Sequence, residues 1–169
     1  MKFPRRVTAN AVRRPMVAAV ALGALAVSFA ATPDATHAAG SRGDGAVLSV
    51  QKTPTCGCCG AWAALASGHG YRVEVEDVAD YEQMKAEAAV PEDLWSCHTA
   101  TIAGYVVEGH VPFDALEKLL EERPDIDGIS VPGMPAGSPG MGSDPAASFD
   151  VIAYGGAAGD GAIFHSVGN

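Results

Sequence analysis

The sequence predicts an α/β fold, a mixed sheet flanked by helices with a C-terminal β-hairpin extension. Three observations carry this expectation. Strand-like and helix-like apolar patterns alternate from residue 46 onward. Gly and Pro cluster at the ends of these segments. A Cys-x-x-Cys, Cys56 to Cys59, falls between the first strand and the first helix.

The elements follow in order. "AVLSVQKT" alternates as a strand and the cysteine cluster follows it directly. "GAWAALASGHG" reads as a helix with Trp62, Leu65 and Ala66 on one face, stopped by Gly68 and Gly70. "YRVEVEDV" has a clean period of two, with Tyr71, Val73 and Val75 on one side. "DYEQMKAEAAV" predicts a helix capped by Asp80 and ended before Pro91. A loop, a short strand near 99 to 102, a turn at Gly104 and the strand "YVVEG" come next. "PFDALEKLLEERP" is amphipathic, with Leu116, Leu119 and Leu120 on its buried side. "GISVPGMPAGSPGMG" reads as a Gly/Pro loop. The tail "FDVIAYGGAAGDGAIFHSV" gives two strands around a turn holding Asp160-Gly161. This succession is a thioredoxin-like layout. There the first helix begins at the cysteines, and its free N–H groups and dipole stabilise a thiolate.

The chain has 169 residues, enough for one domain with a modest core. Its start carries Arg5, Arg6, Arg13 and Arg14, then an uncharged apolar run from Pro15 to Pro33, then small residues at Thr36 and Ala38. That pattern predicts a secretory signal peptide over residues 1–38, followed by a Gly-rich linker over 39–45 and a domain over 46–169. The arginine pairs leave the twin-arginine and general export routes both open. The expected location is periplasmic or otherwise extracytoplasmic, with no membrane span after signal removal. Export removes five basic residues and one acidic one, leaving 6 basic against 19 acidic residues, a net charge of −13. Such a surface repels nucleic acid and anionic lipid, and it either serves solubility alone or suits a cation or a basic partner.

Three of the four cysteines, Cys56, Cys58 and Cys59, lie within four positions. Adjacent Cys58 and Cys59 make a poor disulfide framework, because only Cys97 lies elsewhere to pair with them. A redox pair from Cys56 and Cys59 suits the fold, although the third thiol inside the loop would compete as a nucleophile. A metal site is the third reading. The segment entering the third strand lies beside the first-helix cysteines in this layout, and it carries Cys97-His98 where a Thr-Pro usually sits. Thiolate and imidazole suit Cu(I) and also Zn(II). His98 is then either a ligand or a hydrogen-bonded bystander. Met134 and Met141 sit in the Gly/Pro loop, either as soft thioether ligands for copper or packed over the cluster. His110 in "EGHVP" either approaches the site or opens the next helix, while His69 and His165 read as surface residues.

Together "TPTCGCCGAW", "SCHTA", "GYVVEGHVP", "ISVPGMPAGSPGM" and "FDVIAYG" resemble domain-of-unknown-function family 411, over about residues 46 to 166. One departure is Gly60-Ala61, where relatives often carry a basic residue. The resemblance implies an exported protein of copper handling. It places a metal on Cys56, Cys58, Cys59, Cys97 and His98, with Met134 and Met141 as further donors. The expected function is extracytoplasmic Cu(I) binding for sequestration, delivery or resistance, with another copper-handling protein as partner. A thiol–disulfide oxidoreductase using Cys56 and Cys59 is the rival reading.

Overall fold

The computed structural model describes residues 46–168. The expected signal peptide and linker lie outside them. The elements are β1 (Val47–Lys52), α1 (Gly57–Gly68), β2 (Arg72–Asp77), α2 (Tyr81–Glu87), β3 (His98–Ile102), β4 (Tyr105–Glu108), α3 (Phe113–Glu122), β5 (Gly128–Ser130), β6 (Phe149–Tyr154) and β7 (Ala162–Val167). They form one open mixed sheet in the order β2-β1-β3-β4-β5-β6-β7. β1 runs parallel to β2 and antiparallel to β3, and β3 runs antiparallel to β4. That four-strand block is the thioredoxin-like arrangement. β6 and β7 form the expected C-terminal antiparallel hairpin.

Side-chain parity in the strands assigns the two faces of the sheet. Leu48, Val50, Ala100, Ile102, Val107 and Ile129 face one way and pack with Trp62 and Ala66 of α1 and Leu116 and Leu119 of α3. The opposite face meets α2 and the segment after it, where Val90, Leu94 and Tyr154 pack with Val106 and Ile152. Thr99 and Glu108 are register partners on that second face, whereas Ala100 and Val107 are partners on the first.

α2 begins as its sequence requires. Asp80 accepts a hydrogen bond from Gln83 N–H at 2.9 Å, a cap worth about 1 kcal/mol. It ends at Glu87, and Ala89 turns the chain with φ of 53°. Three expectations need correction. Leu65 is 44% exposed, because the buried stripe of α1 runs through Cys59, Trp62, Ala63 and Ala66 and leaves Leu65 about a third of a turn away. Leu120 is only partly buried, at the margin of the α3 stripe. The Gly/Pro loop is also shorter than expected, since its first three residues form β5 beside β4. Among the described residues no helix is long and apolar enough to cross a membrane.

Candidate metal centre

α1 starts three residues earlier than its apolar pattern suggests, at Gly57, with Cys56 in the N-cap position. Cys56, Cys58 and Cys59 therefore occupy the cap and first turn, where the backbone N–H groups lack helical acceptors. Cys59 points into the core and is fully buried, while Cys56 and Cys58 are half-buried. Cys56 and Cys59 are joined in a disulfide, with Cα atoms 5.4 Å apart. Cys58 and Cys97 are free thiols.

β1 pairs with β3, with Lys52 opposite His98. The end of β1 leads into the cysteine turn and the start of β3 follows Cys97, so this pairing brings the two segments together. The Cys58 Sγ lies 3.6 Å from Cys56 Sγ and 4.0 Å from Cys97 Sγ. All four cysteine sulfurs lie within 4.8 Å of one another. Cys97, His98 and His110 form a second group on the same criterion, so Cys97 belongs to both.

The two imidazoles are fully buried. His98 shares the α1 face of β3 with Ala100, and its ring packs against Trp62 at a tilt of 47°, with centroids 4.7 Å apart. Trp62 is fixed in turn by donating Nε1–H to the Val111 carbonyl at 2.9 Å. His98 Nδ1 is 3.5 Å from Cys97 Sγ. Its buried Nε2 has no hydrogen-bond partner among the described residues. Burial, then the nearby His110 and Lys85, hold the His98 pKa down at about 3, so the ring is neutral. His110 places Nε2 2.9 Å from Cys97 Sγ and Nδ1 2.7 Å from the Pro139 carbonyl. The carbonyl accepts from Nδ1–H, which leaves Nε2 with a lone pair facing the sulfur. Burial also lowers the His110 pKa.

Burial, and then the neighbouring Cys58, push the Cys97 thiol up to about 12. Without a cation at hand it stays protonated. A soft metal ion would supply the missing positive charge and displace that proton. Four sulfurs and two neutral imidazoles match the donors that Cu(I) and Zn(II) prefer. His98 turns Nδ1 toward the Cys97 sulfur, and its buried Nε2 is left unsatisfied.

The Gly/Pro loop closes over this region through two contacts. Gly133 bridges to Ser96, the residue before Cys97. Gly140, with φ of +87°, lies so close that a Cβ would stand 2.9 Å from the Cys58 carbonyl and 3.3 Å from His110 Nδ1. Met134 and Met141 each follow one of these glycines. Met134 is 55% exposed and Met141 is half-buried. Sequence reasoning left His110 undecided and missed Lys85 and Glu108 altogether. No local signal marked them, since Glu108 comes to lie opposite Thr99 on the α2 face only through the β3–β4 register. His165, expected on the surface, lies 3.3 Å from Asp114.

The family described as "Protein of unknown function, DUF411" matches residues 94–141, a span that holds Cys97, His98, His110 and both loop methionines. No curated protein matches the chain. A solved structure titled "Copper resistance protein copG- Form 2" is similar, with 35% identity and a TM-score of 0.67, over 72% of this chain and 98% of that one. The structure titled "Copper resistance protein copG- Form 1" matches with 35% identity and a TM-score of 0.66, over 73% of this chain and 98% of that one. With that likeness running through nearly the whole of each relative, the chain belongs to the copper-related DUF411 family.

Proposed function

We propose that this chain is an extracytoplasmic Cu(I)-binding protein that sequesters copper or passes it to another copper-handling protein in copper resistance. The observation that carries this reading is the convergence of Cys56, Cys58, Cys59 and Cys97 within 4.8 Å. The copper resistance proteins it resembles support the choice of ion. Cys56, Cys58, Cys59 and Cys97 are the thiolate ligands in this account, with His98 and His110 as imidazole donors on the Cys97 side. Met134 and Met141 are thioether donors on the loop that covers the cluster, suited to copper over zinc. Zn(II) fits the Cys/His donors and is the competing ion. Four thiolates are available only after the Cys56–Cys59 disulfide is reduced.

Competition titration with a Cu(I) chelator tests this. Cys59→Ser is expected to cut affinity by at least about tenfold, or about 1.4 kcal/mol. Unchanged affinity in that variant would remove the α1 cysteines from the site.

One observation favours a second reading, an exported thiol–disulfide oxidoreductase. The Cys56–Cys59 disulfide sits at the N-terminus of α1, where such enzymes carry theirs. Reduction of insulin by the dithiol form separates the two. The copper reading predicts turnover no faster than that of a free dithiol, and enzyme-like turnover would favour the oxidoreductase.

A further inference from the structure

Beneath the thiol cluster, on the other face of the sheet, lies an ion pair with both side chains fully buried. Lys85 Nζ of α2 stands 2.6 Å from Glu108 Oε1 of β4. Lys85 also donates to Thr99 Oγ1 at 2.9 Å, and Thr99 donates to Glu108 Oε2 at 2.7 Å. Desolvating two charges in this way is costly, and a pair of apolar side chains would fill the same space. The position of the pair suggests what the cost supports.

Glu108 Oε1 also accepts the backbone N–H of Ser96 at 2.6 Å. The Ser96 carbonyl accepts from Tyr81 O–H at 2.6 Å, and Ser96 Oγ donates to the Gly133 carbonyl. Every polar atom of Ser96 is thus held by a different segment, and Cys97 is the next residue. In the other direction Glu108 leads through Gly109 to His110. A Cβ at Gly109 would collide with the Ser96 side chain and lie 2.8 Å from the Val131 carbonyl. Glu108 therefore ties together the two segments that carry Cys97 and His110.

We propose that Glu108 is a positioning residue for the metal centre. Its Oε1 holds the Ser96 N–H and so fixes Cys97 against His110, with Lys85 as its buried counter-charge. The inference rests on the reading of this cluster as a metal site. Outer-shell groups of this kind are worth about 10–100-fold in metal affinity.

Two double variants separate positioning from packing. Lys85→Met/Glu108→Gln removes both charges but keeps an amide oxygen that can accept from Ser96 N–H. Lys85→Met/Glu108→Leu removes the charges and the acceptor together. Each is checked for cooperative unfolding before two measurements are made. One is Cu(I) affinity of the reduced protein. The other is the alkylation rate of Cys97 by iodoacetamide in metal-free protein carrying Cys58→Ser and an intact Cys56–Cys59 disulfide.

The glutamine variant is expected within about threefold of its parent in both measurements, and the leucine variant is expected to lose about 10–100-fold in affinity. The leucine variant should also alkylate several-fold faster. Two folded variants that both match the parent would overturn the proposal, and so would two that fall by the same amount. Should the leucine variant fail to fold, Lys85→Met/Glu108→Met carries the test, since methionine keeps the length of glutamine but offers no oxygen to the Ser96 N–H. Affinity and alkylation both matching the glutamine variant would then overturn the proposal, and a loss of affinity with faster alkylation would support it. If the parent binds no Cu(I), the proposed function fails, yet the alkylation arm still decides whether Glu108 holds Cys97.

Discussion

His110 Nε2 stands 2.9 Å from Cys97 Sγ, although the two are thirteen positions apart in the chain. Cys97 also lies 4.0 Å from Cys58 on α1. One sulfur thus joins the thiol cluster to the imidazole pair, and the chemistry of the site turns on it.

Cys97→Ser should therefore weaken Cu(I) binding more than the loss of any other single cysteine. The expected fall is at least about 100-fold, or about 2.8 kcal/mol. Competition titration of the four Cys→Ser variants in parallel checks the order. A smaller loss at Cys97 than at Cys56 would argue against a shared sulfur.

The raised Cys97 pKa of about 12 fixes the sign of the pH dependence of binding. The thiol is protonated throughout the neutral range, and binding releases that proton. Affinity should therefore rise with pH, with Cys97 contributing about one log unit per pH unit from about pH 6 to 9. Affinities measured across that range, in wild type and Cys97→Ser, give the contribution as a difference in slope.

The buried neutral His98 makes stability depend on pH in the acid range. Its folded pKa of about 3 lies below the ordinary value of 6.5. Between those values the unfolded chain binds a proton that the folded chain refuses, so stability falls as pH drops from about 6.5 toward 3. The slope from this group approaches about 1.4 kcal/mol per pH unit. His110, also lowered by burial, adds in the same direction. Urea unfolding of metal-free protein at several pH values should show a shallower dependence in His98→Gln.

Gly140 is where the covering loop touches the site, and its φ of +87° disfavours any side chain. An added Cβ would also press on the Cys58 carbonyl and the Trp62 N–H, at 2.9 and 3.0 Å. Gly140→Ala should cost about 1–3 kcal/mol of stability. It should also pull the Pro139 carbonyl from His110 Nδ1, so metal affinity should fall along with the thermal midpoint. Calorimetry of metal-free protein and a Cu(I) titration measure the two effects separately.

Much of this arrangement was legible in the sequence, for local reasons. Alternation in "YRVEVEDV" and the Asp80 cap placed β2 and α2, and the position of Cys56 to Cys59 after β1 placed the cluster at the start of α1. The pairing of β1 with the segment after Cys97 followed from the order of elements. Other features were hidden because they depend on contacts distant in sequence. Lys85 lies among glutamates and reads as part of a solvated helix face. Its burial follows from α2 packing over Thr99 and Glu108, which local periodicity does not report. β5 is three residues long, too short for a period to show within a Gly/Pro run. His110 reaches Cys97 because Gly109 packs directly on Ser96, a contact that leaves no mark in the composition of "EGHVP".

The most direct test of the central claim is a titration of the fully reduced protein with Cu(I) against a competing chelator, counting free thiols at each step. The account predicts about one tightly held copper equivalent, with all four thiols becoming protected together. Copper bound no more tightly than by a Cys56→Ser/Cys59→Ser variant, with the thiols still reactive, would contradict it and leave disulfide exchange as the function to pursue.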